Sequence, residues 1–465
     1  MARILILCTP LQGHLQPALV AGQALRNRGH DVDVLTAADC ESLVREHDLG
    51  FRTLPAEAVG RSAGRLNTMG LTVPWVQARR EVMARFVDPL IGQADALSDA
   101  LVAVDYDVVL ADTAYLGVLP LLLGPRAATP RPAVVGLGAT PISAVSVDAA
   151  PFGSGLRNAD TRFARRRNRQ VNWLLHRGPL RPIHDALDSA LIEFGVPSGT
   201  VDFFSLLGHF DLVVQLSLPE LEYPRRELPA TVHCTGPLPV PASAAWIPPA
   251  WWHRLDQAEG VIHVTQGTVD NADPQRLIMP AVHALRGSGR QIVVTSGRTT
   301  ATATRHALDQ LRSERVHVAD FVPYDALLPR TDLMITNGGW GGVQQAARHG
   351  VPVIVAGRTE EKAEVGARVA WSGLGLDLRT GTPSPARIRS AVDAVLATDR
   401  YRRRAAEIAA AARSRPDPLA GLVAAVEGLI PVRPDQPENE PSVRDLAVWA
   451  RILDMTGPHI RGGIS

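Results

Sequence analysis

Short runs of apolar residues alternate along the chain with longer segments in which apolar residues recur every three or four positions. The run Ile4–Cys8 is of the first kind and predicts a buried strand. Leu15–Asn27 is of the second kind and predicts an amphipathic helix, which ends at Gly29 before another apolar run, Val32–Thr36. A strand, a helix and a strand in this order indicate a parallel βαβ unit, so an α/β protein is expected.

The same alternation begins again in the second half of the chain. A stretch that contains Pro237, Pro239 and Pro241 separates the halves and predicts a stiff connection. We therefore predict a Rossmann-like domain over residues 1–236, a linker over 237–258, a second Rossmann-like domain over 259–430, and a further linker with a last helix over 431–465. Strands of the second domain are predicted at Val261–Thr265, Gln291–Thr295, Val316–Val318, Leu333–Thr336 and Val351–Val355.

A cluster of glycines follows the strand Leu333–Thr336. A helical segment, Val343–His349, comes next and is ended by Gly350. Glycine lets the backbone approach a ligand closely, and a helix N-terminus presents unpaired N–H groups and a partial positive charge to an anion. Asn337–Gln345 is therefore predicted to bind a diphosphate, with a tight turn that needs glycine only for packing as the alternative. The cluster consists of Gly338, Gly339, Gly341 and Gly342.

Composition narrows the class of protein. The chain has 465 residues, more than one ordinary core holds, and a formal net charge of +1, which provides no field for nucleic acid or an anionic membrane. The three cysteines are scattered, and no run of about 18 apolar residues occurs, so disulfides, a metal-binding spacing and stable membrane insertion are not expected. We predict a cytoplasmic protein, either a monomer or a homodimer.

The segment PYDALLPRTDLMITNGGWGGVQQAARHGVP resembles the donor-binding signature of the family 1 glycosyltransferases, the UDP-glycosyltransferase and macrolide-glycosyltransferase group. The resemblance extends over most of the chain. It implies the GT-B fold, in which two Rossmann-like domains with parallel sheets face each other across a cleft, and a final helix, here Val443–Met455, that crosses back to the first domain. It also implies transfer of a sugar, with inversion and without a metal or other cofactor, from a UDP- or dTDP-sugar to a hydroxyl of a small acceptor such as a natural product.

The resemblance assigns donor-binding roles to individual residues. Val322 would hold the base through its backbone, and Gln345 would contact the ribose. Three positions depart from the family pattern, because Asn337 stands in place of His, Gln345 in place of Glu, and Glu361 with Lys362 in place of an Asp-Gln pair. The residues expected to lie against the diphosphate are Gly267, Thr268, Asn337, Gly339, Gly341 and Gly342.

Lys362 is the only lysine in the chain, so all its other basic residues are arginines. An ammonium is more compact than the planar guanidinium of arginine, and the two are not interchangeable. The lone lysine is therefore predicted to be required beside the donor sugar, where it and Glu361 would bind hydroxyls or a substituent. The alternative is a lysine retained by chance on a solvated loop.

The motif GHLQP places His14 at the start of the first helix and at the carboxyl end of the first strand. The family has its catalytic base in a GHxxP motif, and a neutral imidazole can accept a proton from a hydroxyl near neutral pH. Because a helix N-terminus disfavours the imidazolium, His14 is expected to stay neutral. Asp112 ends another apolar strand at the same sheet edge and would orient the imidazole. The alternative is that each residue only caps a helix.

Asp105 and Asp107 form a DxD pattern that superficially indicates a metal site. They flank the start of a strand, at the edge of the sheet opposite His14, and the family that the chain resembles needs no metal. A metal site is therefore not predicted.

Acceptor-binding residues are expected in the basic helical region 151–198, with Phe163 and Trp173 as candidates, and in the segment Leu66–Trp75. Two other functions remain open. A catalytically silent GT-B protein that binds a nucleotide or a partner is favoured by Asn337 and Gln345. A nucleotide-sugar epimerase would need several carboxylates in the cleft, where only Glu361 is expected.

Overall fold

The computed structural model describes residues 1–62, 74–128, 130–156, 158, 160–239, 246–267, 271, 273–297, 302–359 and 361–431. These residues form two parallel β-sheets with helices packed on their faces. The predicted α/β class with two Rossmann-like halves is confirmed.

The first sheet has seven strands in the order β3-β2-β1-β4-β5-β6-β7, all parallel. From β1 the sheet extends through β2 to β3 on one side, and β4 pairs with β1 on the other side. The strands are β1 (Arg3–Leu7), β2 (Asp31–Thr36), β3 (Gly50–Thr53), β4 (Val108–Asp112), β5 (Ala133–Gly138), β6 (Leu212–Gln215) and β7 (Val232–Cys234).

The second sheet repeats this plan with six parallel strands in the order β10-β9-β8-β11-β12-β13. Here the order reverses between β8 and β11. The strands are β8 (Val261–Thr265), β9 (Gln291–Thr295), β10 (Val316–Ala319), β11 (Leu333–Thr336), β12 (Val353–Val355) and β13 (Gly375–Asp377).

Helices cover both faces of each sheet. Those of the first half are α1 (Gln12–Asn27), α2 (Glu41–Glu46), α3 (Pro74–Val82), α4 (Leu90–Ala103), α5 (Leu119–Leu123), α6 (Arg162–Arg177) and α7 (Arg181–Ile192), with a π-helical turn at Met83–Val87. Those of the second half are α8 (His253–Asp256), α9 (Ile278–Leu285), α10 (Thr302–Asp309), α11 (Tyr324–Leu327), α12 (Trp340–Arg348), α13 (Lys362–Ser372), α14 (Pro385–Leu396), α15 (Asp399–Arg413) and α16 (Pro418–Glu427).

The strands read as continuous apolar runs because both faces of each sheet are buried. In β1, Ile4 and Ile6 pack into the core on one face, and Leu5 and Leu7 pack into the core on the other. The second sheet is buried in the same way, between α9 and α14 on one face and α12 and α13 on the other.

α16 returns from the second half of the chain to the first. Leu422 and Val426 are buried in the core that contains α1, and the Glu427 carboxylate lies 3.1 Å from Arg28 Nε and 3.1 Å from His30 Nε2. The predicted boundary at residue 430 had placed this helix with the second domain, whereas it packs on the first. The helix expected to cross back, Val443–Met455, lies outside the described residues.

Among the residues described, no helix combines the length and the hydropathy needed to span a bilayer.

Candidate functional site

The order of the first sheet reverses between β1 and β4, which pair directly with Leu7 aligned to Ala111. At such a switch point the loops leave the carboxyl ends of adjacent strands in opposite directions, and a crevice opens between them. His14 follows β1, as the third residue of α1, and Asp112 is the last residue of β4. The topology therefore brings these two residues together at the crevice.

His14 and Asp112 form a buried pair. His14 Nδ1 lies 2.9 Å from Asp112 Oδ1, and because a carboxylate only accepts, Nδ1 carries the hydrogen and the Nε2 lone pair is left able to accept a proton. Asp112 also accepts hydrogen bonds from the backbone N–H of Thr9 at 3.3 Å, from that of Ala114 at 3.0 Å, and from the Thr9 hydroxyl. Thr9, which sequence analysis did not identify, thus helps to fix the carboxylate that orients the imidazole.

The pKa values of the pair move in opposite directions. Burial lowers the pKa of His14, but the Asp112 carboxylate, and beyond it the Glu361 carboxylate, outweigh burial and raise that pKa. Burial raises the pKa of Asp112, but His14 and the hydrogen bonds from Thr9 and Ala114 outweigh it and lower that pKa. The net shift of the His14 pKa is therefore upward, opposite to the shift expected from the helix N-terminus alone, because a bonded carboxylate acts more strongly than the partial charge of a helix end.

We expect Asp112→Asn to move the acid limb of the pH dependence of kcat/KM to lower pH. The base must be neutral to accept a proton, and the carboxylate that raises the pKa of His14 is lost in this variant. The rate at the optimum should also fall at least about tenfold, because asparagine can stabilise the wrong tautomer of the imidazole. Steady-state rates across pH measure both effects, with the exposed Asp309→Asn as control. An acid limb that does not move in Asp112→Asn would contradict the pairing.

The glycine turn lies at the switch point of the second sheet. β8 and β11 pair there with Thr265 aligned to Thr336, and the chain then enters α12 through Gly339. Gly338 has φ +95°, a conformation that favours glycine, and a Cβ there would lie 2.8 Å from Val355 Cγ1. By contrast, a Cβ on Gly339 or Gly341 would meet nothing within 4 Å, so the first turn of α12 faces open space.

α12 begins three residues earlier than predicted, at Trp340 rather than Val343. Its cap residue is a glycine without a side chain, and its first turn contains no acidic residue. The N–H groups of that turn have no intrahelical acceptor, so they and the positive end of the helix dipole are available to an anion. The open turn has the donors and the space that a diphosphate requires.

Asn337 and Gln345 are buried, and each donates a hydrogen bond to a backbone carbonyl. Asn337 Nδ2 donates to Gln266, and Gln345 Nε2 donates to Leu238 at 2.8 Å. A carboxylate at position 345 would face the Leu238 carbonyl as a second acceptor, whereas the amide of Gln345 donates to it. The departure at Gln345 thus has a structural reason, and contact of Gln345 with a ribose stays a prediction.

Lys362 is 4% exposed, which rules out a lysine that persists on a solvated loop. Its Nζ donates to Thr359 Oγ1 at 3.1 Å, and its Cβ lies 3.6 Å from the position of a Cβ on Gly338. Glu361 precedes it and acts on the pKa of His14. The start of α13 therefore lies beside the glycine turn.

The other predicted donor residues are placed as follows. Gly267 follows β8 with φ +73°, and a Cβ there would lie 3.5 Å from Asn337 Oδ1. Val322 is buried between β10 and α11 and packs with Leu255 and Leu327. Thr268 lies outside the described residues. The structure therefore brings Gly267 to the glycine turn, and the roles of Thr268 and Val322 stay predictions.

Asn271 supports the same edge of the sheet and was not identified from the sequence. Its Nδ2 lies 2.8 Å from the carbonyl oxygen of Ser296, 3.1 Å from that of Gly297 and 3.3 Å from that of Gly267. One amide group thus joins the turns that follow β8 and β9. An isolated asparagine in a loop gives no sequence signal for this role.

A fully buried group of charges joins the two domains. The Arg368 guanidinium donates to Glu222 at 3.2 Å, to Glu364 at 2.7 Å and to the carbonyl of Ile142 at 2.9 Å. Arg225 also donates to the Ile142 carbonyl, at 2.8 Å, and lies 3.8 Å from Glu222. Two guanidinium groups and two carboxylates balance each other, as buried charges require.

These charges position the start of α13. Glu222 and Arg225 belong to the first domain, whereas Glu364 and Arg368 lie on the helix that Lys362 begins. Burial and the neighbouring Arg368 lower the pKa of Arg225 to about 10, so it is still charged near neutral pH. The spacings i,i+3 and i,i+4 between opposite charges were the available sequence signal, although they indicate only a local pair and not one between domains.

The predicted acceptor residues are exposed. Phe163 and Trp173 of α6 are 71% and 53% exposed, and the guanidinium groups of Arg162 and Arg177 lie over their rings at 4.9 and 4.7 Å. Most of the segment Leu66–Trp75 lies outside the described residues. Contact of these residues with an acceptor stays a prediction.

Asp107 has a structural role. It is buried at the amino end of β4 and accepts a hydrogen bond from the backbone N–H of Arg3 at 2.8 Å. This contact anchors β1 at the sheet edge opposite His14.

Comparison with known proteins identifies the class. A family model described as the C-terminal domain of erythromycin biosynthesis protein CIII-like proteins matches residues 289–428. The chain is 35% identical over 443 residues to a 4'-demethylrebeccamycin synthase of Lentzea aerocolonigenes, covering 92% of this chain and 100% of that protein. It is 32% identical over 420 residues to UDP-glycosyltransferase 2 of Phaeomoniella chlamydospora, covering 87% and 91%.

The fold agrees with these relatives. The crystal structure of a glycotransferase of kitacinnamycin superposes with a TM-score of 0.68 at 21% identity and covers 92% of this chain and 99% of that one. The architecture is therefore GT-B. The chain belongs to the family 1 glycosyltransferases and is a glycosyltransferase of the natural-product type.

Proposed function

We propose that the protein is an inverting, metal-independent glycosyltransferase that moves a sugar from a UDP- or dTDP-sugar to a hydroxyl of a small natural product. The observation that carries the proposal is the position of the two candidate sites. The His14–Asp112 pair and the open glycine turn each lie at the switch point of their sheet.

In this proposal His14 is the general base. The acceptor hydroxyl gives its proton to Nε2, and its oxygen forms a bond to the anomeric carbon. The bond from that carbon to the diphosphate oxygen breaks, and the electron pair leaves with the diphosphate. Asp112 holds Nδ1–H and stabilises the imidazolium that forms. Because the attacking oxygen and the leaving group lie on opposite faces, the anomeric carbon is inverted, which NMR of donor and product can test.

The charge that develops on the leaving diphosphate needs donors fixed before the reaction. The N–H groups of Trp340, Gly341 and Gly342 begin α12 without intrahelical acceptors, and the helix dipole adds to their effect. We infer that these groups stabilise the leaving group and that Glu361 and Lys362 bind the sugar. The chemistry assigned to these residues contains no step that requires a metal.

We expect Gly341→Val to weaken binding of UDP- or dTDP-sugars at least about tenfold, or about 1.4 kcal/mol. The valine side chain would occupy the open space that the diphosphate needs. In the native protein, the preferred nucleotide sugar of a panel should raise the melting temperature, because a ligand that binds only the folded state stabilises it.

The matched control is Gly421→Val. Gly421 is another helical glycine, and a Cβ there would have its nearest neighbour, Thr235 Cγ2, at 4.0 Å. This variant should bind the nucleotide sugar with native affinity. Equal affinities of Gly341→Val and the native protein would refute the assignment of the glycine turn.

A further inference from the structure

A second group of titratable side chains lies outside the proposed catalytic site. His176 is in the last turn of α6, His184 is in α7, and Asp202 is in the loop that precedes β6. One ligand atom from each lies within 4.8 Å of the other two. All three line an open depression of about 620 Å³ on the first domain. Three separate segments of the chain thus place two imidazoles and one carboxylate around the same point.

The spacing of the ligand atoms matches that of a metal centre. His176 Nδ1 lies 2.8 Å and His184 Nε2 lies 3.5 Å from Asp202 Oδ2. Bonds of about 2.0–2.1 Å in a tetrahedral zinc site put neighbouring ligand atoms about 3.3 Å apart, so small side-chain movements would suffice. The two imidazoles already stack, with ring centroids 5.0 Å apart.

The side of His184 that faces Asp202 is suited to a cation. His184 Nε2 is the ring nitrogen that faces Asp202 Oδ2, at 3.5 Å. Among the described residues, Nε2 has no hydrogen-bond partner. A metal ion between Nε2 and the Asp202 oxygen would give both atoms a partner.

The nearby arginines do not compete for Asp202. The Arg177 guanidinium lies over the ring of Trp173, and Arg181 Nε lies 3.5 Å from Asp185 Oδ2. Asp202 therefore has the two histidines as its side-chain partners among the described residues, at 2.8 and 3.5 Å.

We propose that His176, His184 and Asp202 bind a divalent transition-metal ion, with zinc as the best match, that clamps α6 to α7 and to the loop 197–205. Two imidazole nitrogens and one carboxylate oxygen are ligands that zinc accepts, and the open depression leaves a fourth position for water. Because imidazole binds a metal ion only in its deprotonated, neutral form, binding should weaken as the pH falls. The site shares no residue with the proposed transfer chemistry.

The test uses the full chain without a histidine tag, stripped of metal and titrated with zinc or cobalt chloride. We expect one tightly bound ion per chain, release of protons, a visible absorption band from bound cobalt, and a higher melting temperature with zinc. X-ray absorption of the zinc form should show nitrogen and oxygen ligands only. Failure of the native protein to bind one ion per chain would overturn the proposal whatever the variants do.

Two variants assign the ion to this group. The double variant His176→Ala/His184→Ala and the single variant Asp202→Asn should each weaken metal binding at least tenfold. His283→Ala, which removes an exposed histidine elsewhere, should bind like the native protein. Equal binding by the double variant and the native protein would place the ion elsewhere. Nucleotide-sugar binding, measured on the same samples, shows that each variant is folded.

Discussion

His14→Ala is expected to reduce sugar transfer by at least about 10³-fold while the affinity for the nucleotide sugar stays within a factor of about two. The imidazole is the proposed base and lies on the first domain, whereas the donor is proposed to bind the second. Loss of the base therefore removes proton transfer and leaves the diphosphate contacts intact. Single-turnover rates and equilibrium binding of the donor separate the two effects.

The control for this variant is His14→Asn. An asparagine amide can still donate to Asp112, so the buried carboxylate keeps a partner, but it cannot act as a base. Both variants should lose transfer to a similar extent. Transfer retained in His14→Asn would show that residue 14 only orients Asp112, and equal loss of donor binding and transfer would show that it supports the fold.

Arg368→Met is expected to lower the free energy of unfolding by about 3–5 kcal/mol and to reduce transfer. The arginine is 0% exposed and bonds two carboxylates from different domains, so its removal leaves Glu222 and Glu364 charged and buried without it. The start of α13, with Glu361 and Lys362, would then lose its anchor. Denaturant unfolding and transfer rates of the same samples measure both effects.

The matched control is Arg312→Met. Arg312 pairs with Asp309 at 2.9 Å on the surface of the second domain, and such exposed pairs contribute about 0–1 kcal/mol. Adding Glu222→Gln to Arg368→Met should recover part of the stability, because one unpaired buried charge is then removed. A stability loss in Arg368→Met no larger than that in Arg312→Met would contradict the role of the buried charges.

The sequence predicted the parts of the structure that depend on local pattern. Apolar runs predicted β1, β2 and β8–β12 to within about two residues, because a strand buried on both faces has no polar position to interrupt it. His14, Asp112 and the glycines could be placed at carboxyl ends of strands for the same reason. The strands β3, β5, β6, β7 and β13 were not predicted. The predicted helix ends were less accurate. For example, α12 begins at Trp340 and not at the predicted Val343, because glycines have low helix propensity and the sequence pattern therefore missed the first turn.

The sequence could not predict the contacts made between the domains. Arg368 is one of many arginines, and only its three-dimensional neighbours distinguish it from those on the surface. The contact of Gln345 could not be predicted either. Its partner, the Leu238 carbonyl, is a backbone group at the start of the predicted linker, far from residue 345 in the sequence. Leu422 and Val426 are spaced as in any amphipathic helix. Such spacing predicts that the helix packs on a core, but it does not tell which of the two sheets the helix packs against.

The departures at Asn337 and Gln345 had favoured a catalytically silent protein. The structure gives both residues hydrogen bonds to backbone carbonyls, and the bond from Gln345 is one that a glutamate carboxylate could not donate. The His14–Asp112 pair is meanwhile held by Thr9 and the Ala114 backbone, a buried arrangement that binding alone does not require. These contacts favour transfer over simple binding.

A crystal structure with a bound nucleotide sugar tests the central claim most directly. We expect the diphosphate within hydrogen-bond distance of the N–H groups of Trp340–Gly342, and the anomeric carbon facing His14 Nε2 with room for one hydroxyl between them. A diphosphate bound away from the first turn of α12, or an anomeric carbon that faces away from His14, would contradict the account.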